Sequence, residues 1–115
     1  GGMQKRVAIA RAVVMNPKYL FCDEPNSGLD PKTSTLIDNL IQEITKEYQI
    51  TTVINTHDMN SVMEIGEKVL FLENGRKGWE GSNLEVFKTE NQSVGNFIYS
   101  SNLFKKVRQV YKEGN

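Results

Sequence analysis

The chain has 115 residues, 38% hydrophobic and 24% charged, the balance of a globular domain or part of one. Lysine plus arginine equals aspartate plus glutamate at 14 each, which argues against a generally basic nucleic-acid binder. One cysteine, Cys22, leaves no internal disulfide framework and suits a reducing compartment. No apolar run approaches the roughly 18 residues of a spanning helix, and no signal peptide is visible. The abrupt opening at Gly1-Gly2-Met3 leads us to expect an N-terminally truncated chain.

In chain order, Gly1-Gly2 gives way to a helical pattern with Met3, Val7, Ala10 and Val14 on one stripe, flanked by Arg6 and Arg11. Asn16-Pro17 ends it, because proline cannot continue a helix. Tyr19 to Cys22 are apolar and too few for a helix, so they predict a strand over about 19–23, buried on both faces. Asp30 is a good N-cap with Pro31 at the first helical position. Leu36, Ile37, Leu40, Ile41 and Ile44 then form the apolar face of a helix ending near Tyr48. A second strand, Ile50 to Asn55, is rich in β-branched residues. Asp58 caps a short helix with Met59, Val62, Met63 and Ile65.

Val69 to Leu72 predicts a third strand, turned at Asn74-Gly75 into a returning strand, Arg76 to Gly81, with Trp79 as its bulky contact. Ser82 opens a helix through Leu84, Val86 and Phe87, and another follows at Val94, Phe97, Ile98 and Tyr99. Leu103, Phe104, Val107, Val110 and Tyr111 stand at helical spacing among Lys105, Lys106, Arg108 and Lys112. Early alternation of strand and helix with a late hairpin predicts an α/β fold, its sheet mainly parallel with an antiparallel edge.

The chemistry concentrates where the first strand stops, at Asp23 and Glu24. A buried strand delivering acids to its C-terminal edge is where an α/β sheet places ligands. Neighbouring strand residues face opposite ways, so the two acids can take different jobs. Asp23 suits a magnesium ion, and Glu24 suits a base holding an attacking water, the two needs of phosphoryl transfer. Taken alone, such a pair more often marks a solvated strand end. His57, the only histidine, lies at the end of the next strand, within reach of Glu24 by topology and able to meet a phosphate. Gly1-Gly2-Met3-Gln4 opens a helix whose free N–H groups favour an anion.

Together these pieces resemble a known family. Gly1 to Arg6 with Ala10-Arg11-Ala12, then Leu20 to Pro25, then Ser27-Gly28-Leu29-Asp30-Pro31, then Thr56-His57-Asp58 are similar to the nucleotide-binding domain of ATP-binding cassette (ABC) transporters. By that resemblance the glycine segment is the signature motif, and Asp23 and Glu24 hold the Walker B positions. Ser27 to Asp30 form the D-loop, and His57 is the switch histidine. The family's Walker A loop, adenine-stacking aromatic and Q-loop glutamine have no counterpart here, and no G-x-x-x-x-G-K-S/T occurs. The resemblance therefore implies the C-terminal half of a P-loop NTPase domain. Residues 1–100 would be a partial nucleotide-binding domain and 101–115 an amphipathic extension.

The implied function is an ATPase subunit powering membrane transport, inactive as this piece alone. Glu24 and His57 would be catalytic and Asp23 the magnesium residue. Gly1, Gly2, Gln4 and Asp30 would contact ATP across a head-to-tail dimer, with a transmembrane permease and an accessory regulatory subunit as further partners. ATP and Mg2+ are the implied cofactors, and the location is peripheral on the cytoplasmic face of the plasma membrane. Gly-Met-Gln-Lys-Arg-Val, Ser-Gly-Leu-Asp-Pro and Gly95-Asn96-Phe97-Ile98 are similar to the phospholipid-trafficking Mla/toluene-tolerance subgroup, which implies a lipid cargo. A soluble ABC ATPase of DNA-repair or translation type and a non-catalytic remnant are the competing readings. A core lacking its first half is expected to expose apolar surface that invites self-association.

Overall fold

A computed structural model describes residues 1–99 and residue 110. They divide into two compact units, Gly1–Ile65 and Gly66–Asn115.

The first unit starts with helix α1 (Gly2–Val14), which ends where Asn16 turns left-handed at φ 51° just before Pro17. Asparagine tolerates that region, and proline bars a further turn. The stripe expected to face the core faces solvent instead. Met3, Val7 and Val14 are exposed, while Ile9 is buried and Val13 packs beside it. Apolar residues ring much of α1, so its sequence offers two stripes, and packing against α2 (Pro31–Glu47) selects the one through Ile9. On α2 the expected face is largely right: Ile37 and Ile41 are fully buried, Leu40 and Ile44 partly so, and only Leu36 turns out. Burial of each isoleucine contributes about 1.5–3 kcal/mol.

Strands β1 (Tyr19–Asp23) and β2 (Thr51–Asn55) pair in parallel, from Tyr19 opposite Thr51 to Asp23 opposite Asn55. Cys22 and Ile54 turn toward the Ile9–Ile37–Ile41 core. The opposite face is open, with Tyr19 62%, Phe21 74% and Val53 49% exposed. The expectation of a strand buried on both faces is thus corrected: within this unit helices cover one side of the sheet only. A hydroxyl pair, Thr45 with Thr52 at 2.6 Å, ties the end of α2 to β2. Helix α3 (Met59–Ile65) closes the unit, its entry set by Asn60 N–H donating to Asp58 Oδ1 at 2.9 Å.

In the second unit, β3 (Lys68–Glu73) and β4 (Arg76–Ser82) form a hairpin around Asn74 and Gly75, both at positive φ. That is the primed turn whose twist suits a two-residue loop. Among the described residues the hairpin forms a two-stranded antiparallel sheet, the late hairpin expected from the sequence. Gly78 falls at the register shift between Phe71 and Leu72, a bulge. Ser82 and Glu85 then bond reciprocally, backbone N–H to side-chain oxygen in both directions, at 2.9 and 3.1 Å. This capping box opens only one 3-10 turn, Glu85–Phe87. Asn91 caps α4 (Gln92–Ile98), where Val94 and Ile98 are buried and Phe97 meets Phe71 edge-on at 5.4 Å. Apart from Val110, helical and exposed, the expected extension at 101–115 lies outside the described residues.

Candidate functional site

Parallel, in-register pairing carries β1 and β2 to a common C-terminal edge, so the chemistry expected of each strand end converges there. Asn55 Nδ2 donates to Asp23 Oδ1 at 2.7 Å, which orients the carboxylate on the sheet's open face. The Glu24 N–H donates to the Asn55 carbonyl at 2.7 Å, and Glu24 itself sits at φ 46°. Left-handed backbone costs about 1–2 kcal/mol for a residue with a Cβ. It also takes Glu24 out of the strand's regular alternation. Asp23 reaches Asn55, while Glu24 Oε1 meets His57 Nδ1 at 2.8 Å. The histidine side chain is 76% exposed and the glutamate 32%. So exposed a contact adds little stability, and its significance is geometric.

Lys5 of α1 donates from Nζ to the Glu24 carbonyl at 3.4 Å. Beyond Pro25 the chain turns through Ser27 N–H to Glu24 C=O at 3.1 Å and Leu29 N–H to Asn26 C=O at 3.2 Å, with Gly28 at φ 78°. Asp30 closes the loop as the N-cap of α2, accepting from Thr33 N–H at 3.4 Å. Thr33, by its side chain first and then its backbone N–H, holds the Asp30 carboxyl below its usual value.

Under this loop lies a buried polar triad. Asn26 Nδ2 donates to Asp38 Oδ1 and to Ser61 Oγ, each at 2.6 Å, and Ser61 Oγ donates to Asp38 Oδ2 at 2.9 Å. All three residues are more than nine-tenths buried, and Asn26 Oδ1 is buried without a partner among the described residues. An orphan acceptor of this kind costs about 1–3 kcal/mol.

The residues expected at the helix start sit together. Gly1 is the N-cap of α1, a Cβ on it would lie 3.5 Å from Leu29, and a Cβ on Gly2 would lie 2.7 Å from Thr33 Cγ2. Gln4 is exposed on the same turn. Asp23, Glu24 and His57 therefore share one edge, and Gly1 and Gly2 abut the loop that follows it. Asn55, Lys5 and the triad were not foreseen. The Asp23–Asn55 bond follows from the register, which no local signal announces. Among the described residues no cluster of three or more His, Cys, Asp or Glu could hold a metal ion. A lone exposed carboxylate, Asp23, fits magnesium all the same, since that ion keeps several waters and takes other oxygens from phosphates. Burial raises the Cys22 thiol, in keeping with a packing role.

The ABC transporter family profile matches residues 1–27. The methionine import ATP-binding protein MetN of Carboxydothermus hydrogenoformans is 48% identical over 87 residues, 76% of this chain and 26% of its own length. The MetN of Campylobacter jejuni is 44% identical over 101 residues, 88% of this chain and 30% of its own. The chain thus spans between a quarter and a third of these relatives. Among solved structures, cbiO1 from Clostridium perfringens, part of the ABC transporter complex cbiONQ, superposes with a TM-score of 0.72 at 36% identity, covering 92% of this chain and 42% of that one. The ATP-binding cassette MJ0796, solved as a dimer in a post-hydrolysis state with ADP and Pi, gives 0.64 at 38% identity, over 71% of this chain and 35% of that one. The chain belongs to the ATP-binding cassette (ABC) transporter ATPase family, and its mixed α/β fold is that of part of the cassette.

Proposed function

We propose that the chain supplies the catalytic edge of an ATPase subunit that drives a membrane importer. One observation carries this reading: Glu24 and His57, from the ends of two different strands, meet at 2.8 Å beside an oriented Asp23. Asp23 would hold the magnesium ion, which neutralises phosphate charge when bound. Glu24 acts as general base toward the attacking water. His57, whose Nδ1 faces Glu24, presents Nε2 on the other side of its ring to a phosphate oxygen. Gly1, Gly2 and Gln4 at the start of α1, with Asp30 in the loop, serve ATP held across a dimer of two such domains. Residues 1–100 form the nucleotide-binding part and 101–115 an extension.

For cargo, the names of the relatives favour methionine or a similar amino acid. None of them supports the phospholipid expected from the sequence, nor a soluble DNA-repair or translation ATPase, so the lipid assignment is set aside. Coupling to a transmembrane permease places the subunit on the cytoplasmic membrane face. Among the described residues no helix is long and apolar enough to cross a membrane.

The test is magnesium-ATP binding by calorimetry, with turnover, on a complete cassette carrying this sequence. Glu24→Gln is expected to keep binding while lowering turnover at least about 100-fold, the scale of general-base catalysis. Undiminished turnover in that variant would refute the assignment of Glu24.

A further inference from the structure

The Glu24–His57 contact joins the two chain segments that follow the paired strands. Both segments have left their strands by the time they reach these residues, so the ladder alone does not fix how far apart the two side chains sit. The buried triad lies just beyond each of them. Asn26 is two residues past Glu24, Ser61 is four past His57 in the first turns of α3, and Asp38 is anchored in the middle of α2. Asn26 Nδ2 bonds both of the others at 2.6 Å, and Ser61 Oγ completes the ring to Asp38 at 2.9 Å. Asp38 is 4% exposed and accepts hydrogen bonds from these two neutral side chains. A carboxyl so placed accepts through both of its oxygens, and hydrogen bonds in so buried a place are stronger than in water.

We infer that Asn26, Asp38 and Ser61 are positioning residues that set the spacing between the catalytic Glu24 and the phosphate-sensing His57. This rests on the proposed ATPase function. Asp38 holds the loop after β1 and the helix after β2 in one frame. Loosening any member lets α3, and His57 with it, drift from Glu24. None of the three touches the reacting atoms, so their loss affects turnover and leaves ATP affinity alone.

The experiment is a double-variant cycle for steady-state ATP hydrolysis in the complete cassette. Ser61→Ala is expected to lower kcat about tenfold, with KM for magnesium-ATP within about twofold of wild type. In a His57→Ala background the same substitution is expected to cause no further loss, because the contact it maintains is already gone. Ser61→Cys, which keeps the volume of the side chain but weakens its hydrogen bonds, is expected to behave in the same way. It serves as the readout where Ser61→Ala fails to fold. Unchanged kcat in both single variants would overturn the assignment. So would losses that multiply in the His57→Ala background, the mark of a merely structural site. A wild-type cassette that binds ATP but does not hydrolyse it would instead overturn the functional reading on which the triad's role depends.

Discussion

Glu24 combines a left-handed backbone with a side chain bonded to the chain's only histidine. The two facts belong together. An extended residue at this point would continue the strand's alternation, whereas the positive φ and the following Pro25 swing the carboxylate toward the end of β2. Such strain persists only where the surroundings fix it. Here they do so through Asn55 C=O on one side and Ser27 N–H on the other. Asp23, Glu24 and His57 were legible in the sequence because each marks an abrupt end of an apolar run. Asn26, Asp38, Asn55 and Ser61 were not. Small polar residues read locally as turn formers or solvated helix faces, and their work arises only where three separated segments meet. Asp30 was legible as a helix cap, and its titration follows from that. With its folded pKa lowered by Thr33, it adds stability above its unfolded pKa, about 3.9, and the contribution fades as pH falls through the folded value. Asp30→Ala should therefore lower the thermal midpoint at neutral pH. The gap to wild type should narrow below the ordinary carboxylate range in melts followed by circular dichroism. A gap that stays constant with pH would mean that the carboxyl is not what stabilises α2.

Among the elements, α2 was the easiest to read and α1 the hardest, for one physical reason. The apolar residues of α2 form a single stripe between a clear cap and a polar stretch, so periodicity alone chooses its buried face. Those of α1 ring the helix, and tertiary packing decides. β1 misled in a similar way: four apolar residues in a row predict cover on both faces, yet this unit supplies helices to one. The contact of α1 with α2 has a testable weak point at Gly2. Alanine would add helix propensity worth at most about 1 kcal/mol. Its Cβ would also press to 2.7 Å from the branched Thr33, and overpacking of that kind costs about 1–3 kcal/mol. The clash should win. Gly2→Ala is expected to lower stability toward urea, and Thr33→Ser, which removes the offending methyl, should restore most of the loss. Equal stability of Gly2→Ala and wild type would show that the helix start is free to move. In that case the glycine would be needed for something other than close approach.

At the scale of the whole molecule, each unit has its own reason to hold together. The first is built on Ile9, Ile37 and Ile41 with the parallel pair, and the second on the hairpin with Val86, Phe87, Val94 and Ile98. The α/β class and the order of elements were readable from alternation and turn residues. The register of the strands was not, because the sequence marks where strands run and not how they pair. The placement of Trp79 turns this division into an optical one. It is the only tryptophan in the chain, its ring lies across Gly81, and it pairs with Phe71 inside the second unit. Its emission therefore reports on the hairpin. Among the described residues the two longest helices, α1 and α2, of 13 and 17 residues, lie in the first unit and dominate its far-ultraviolet dichroism. The second unit is the shorter of the two, and a shorter unit buries a smaller fraction of its surface, so the emission of Trp79 should shift to the red at lower urea than the helical signal is lost. Coincident curves would make the chain one cooperative body. Each half of the molecule thus carries a spectroscopic label of its own, without any dye.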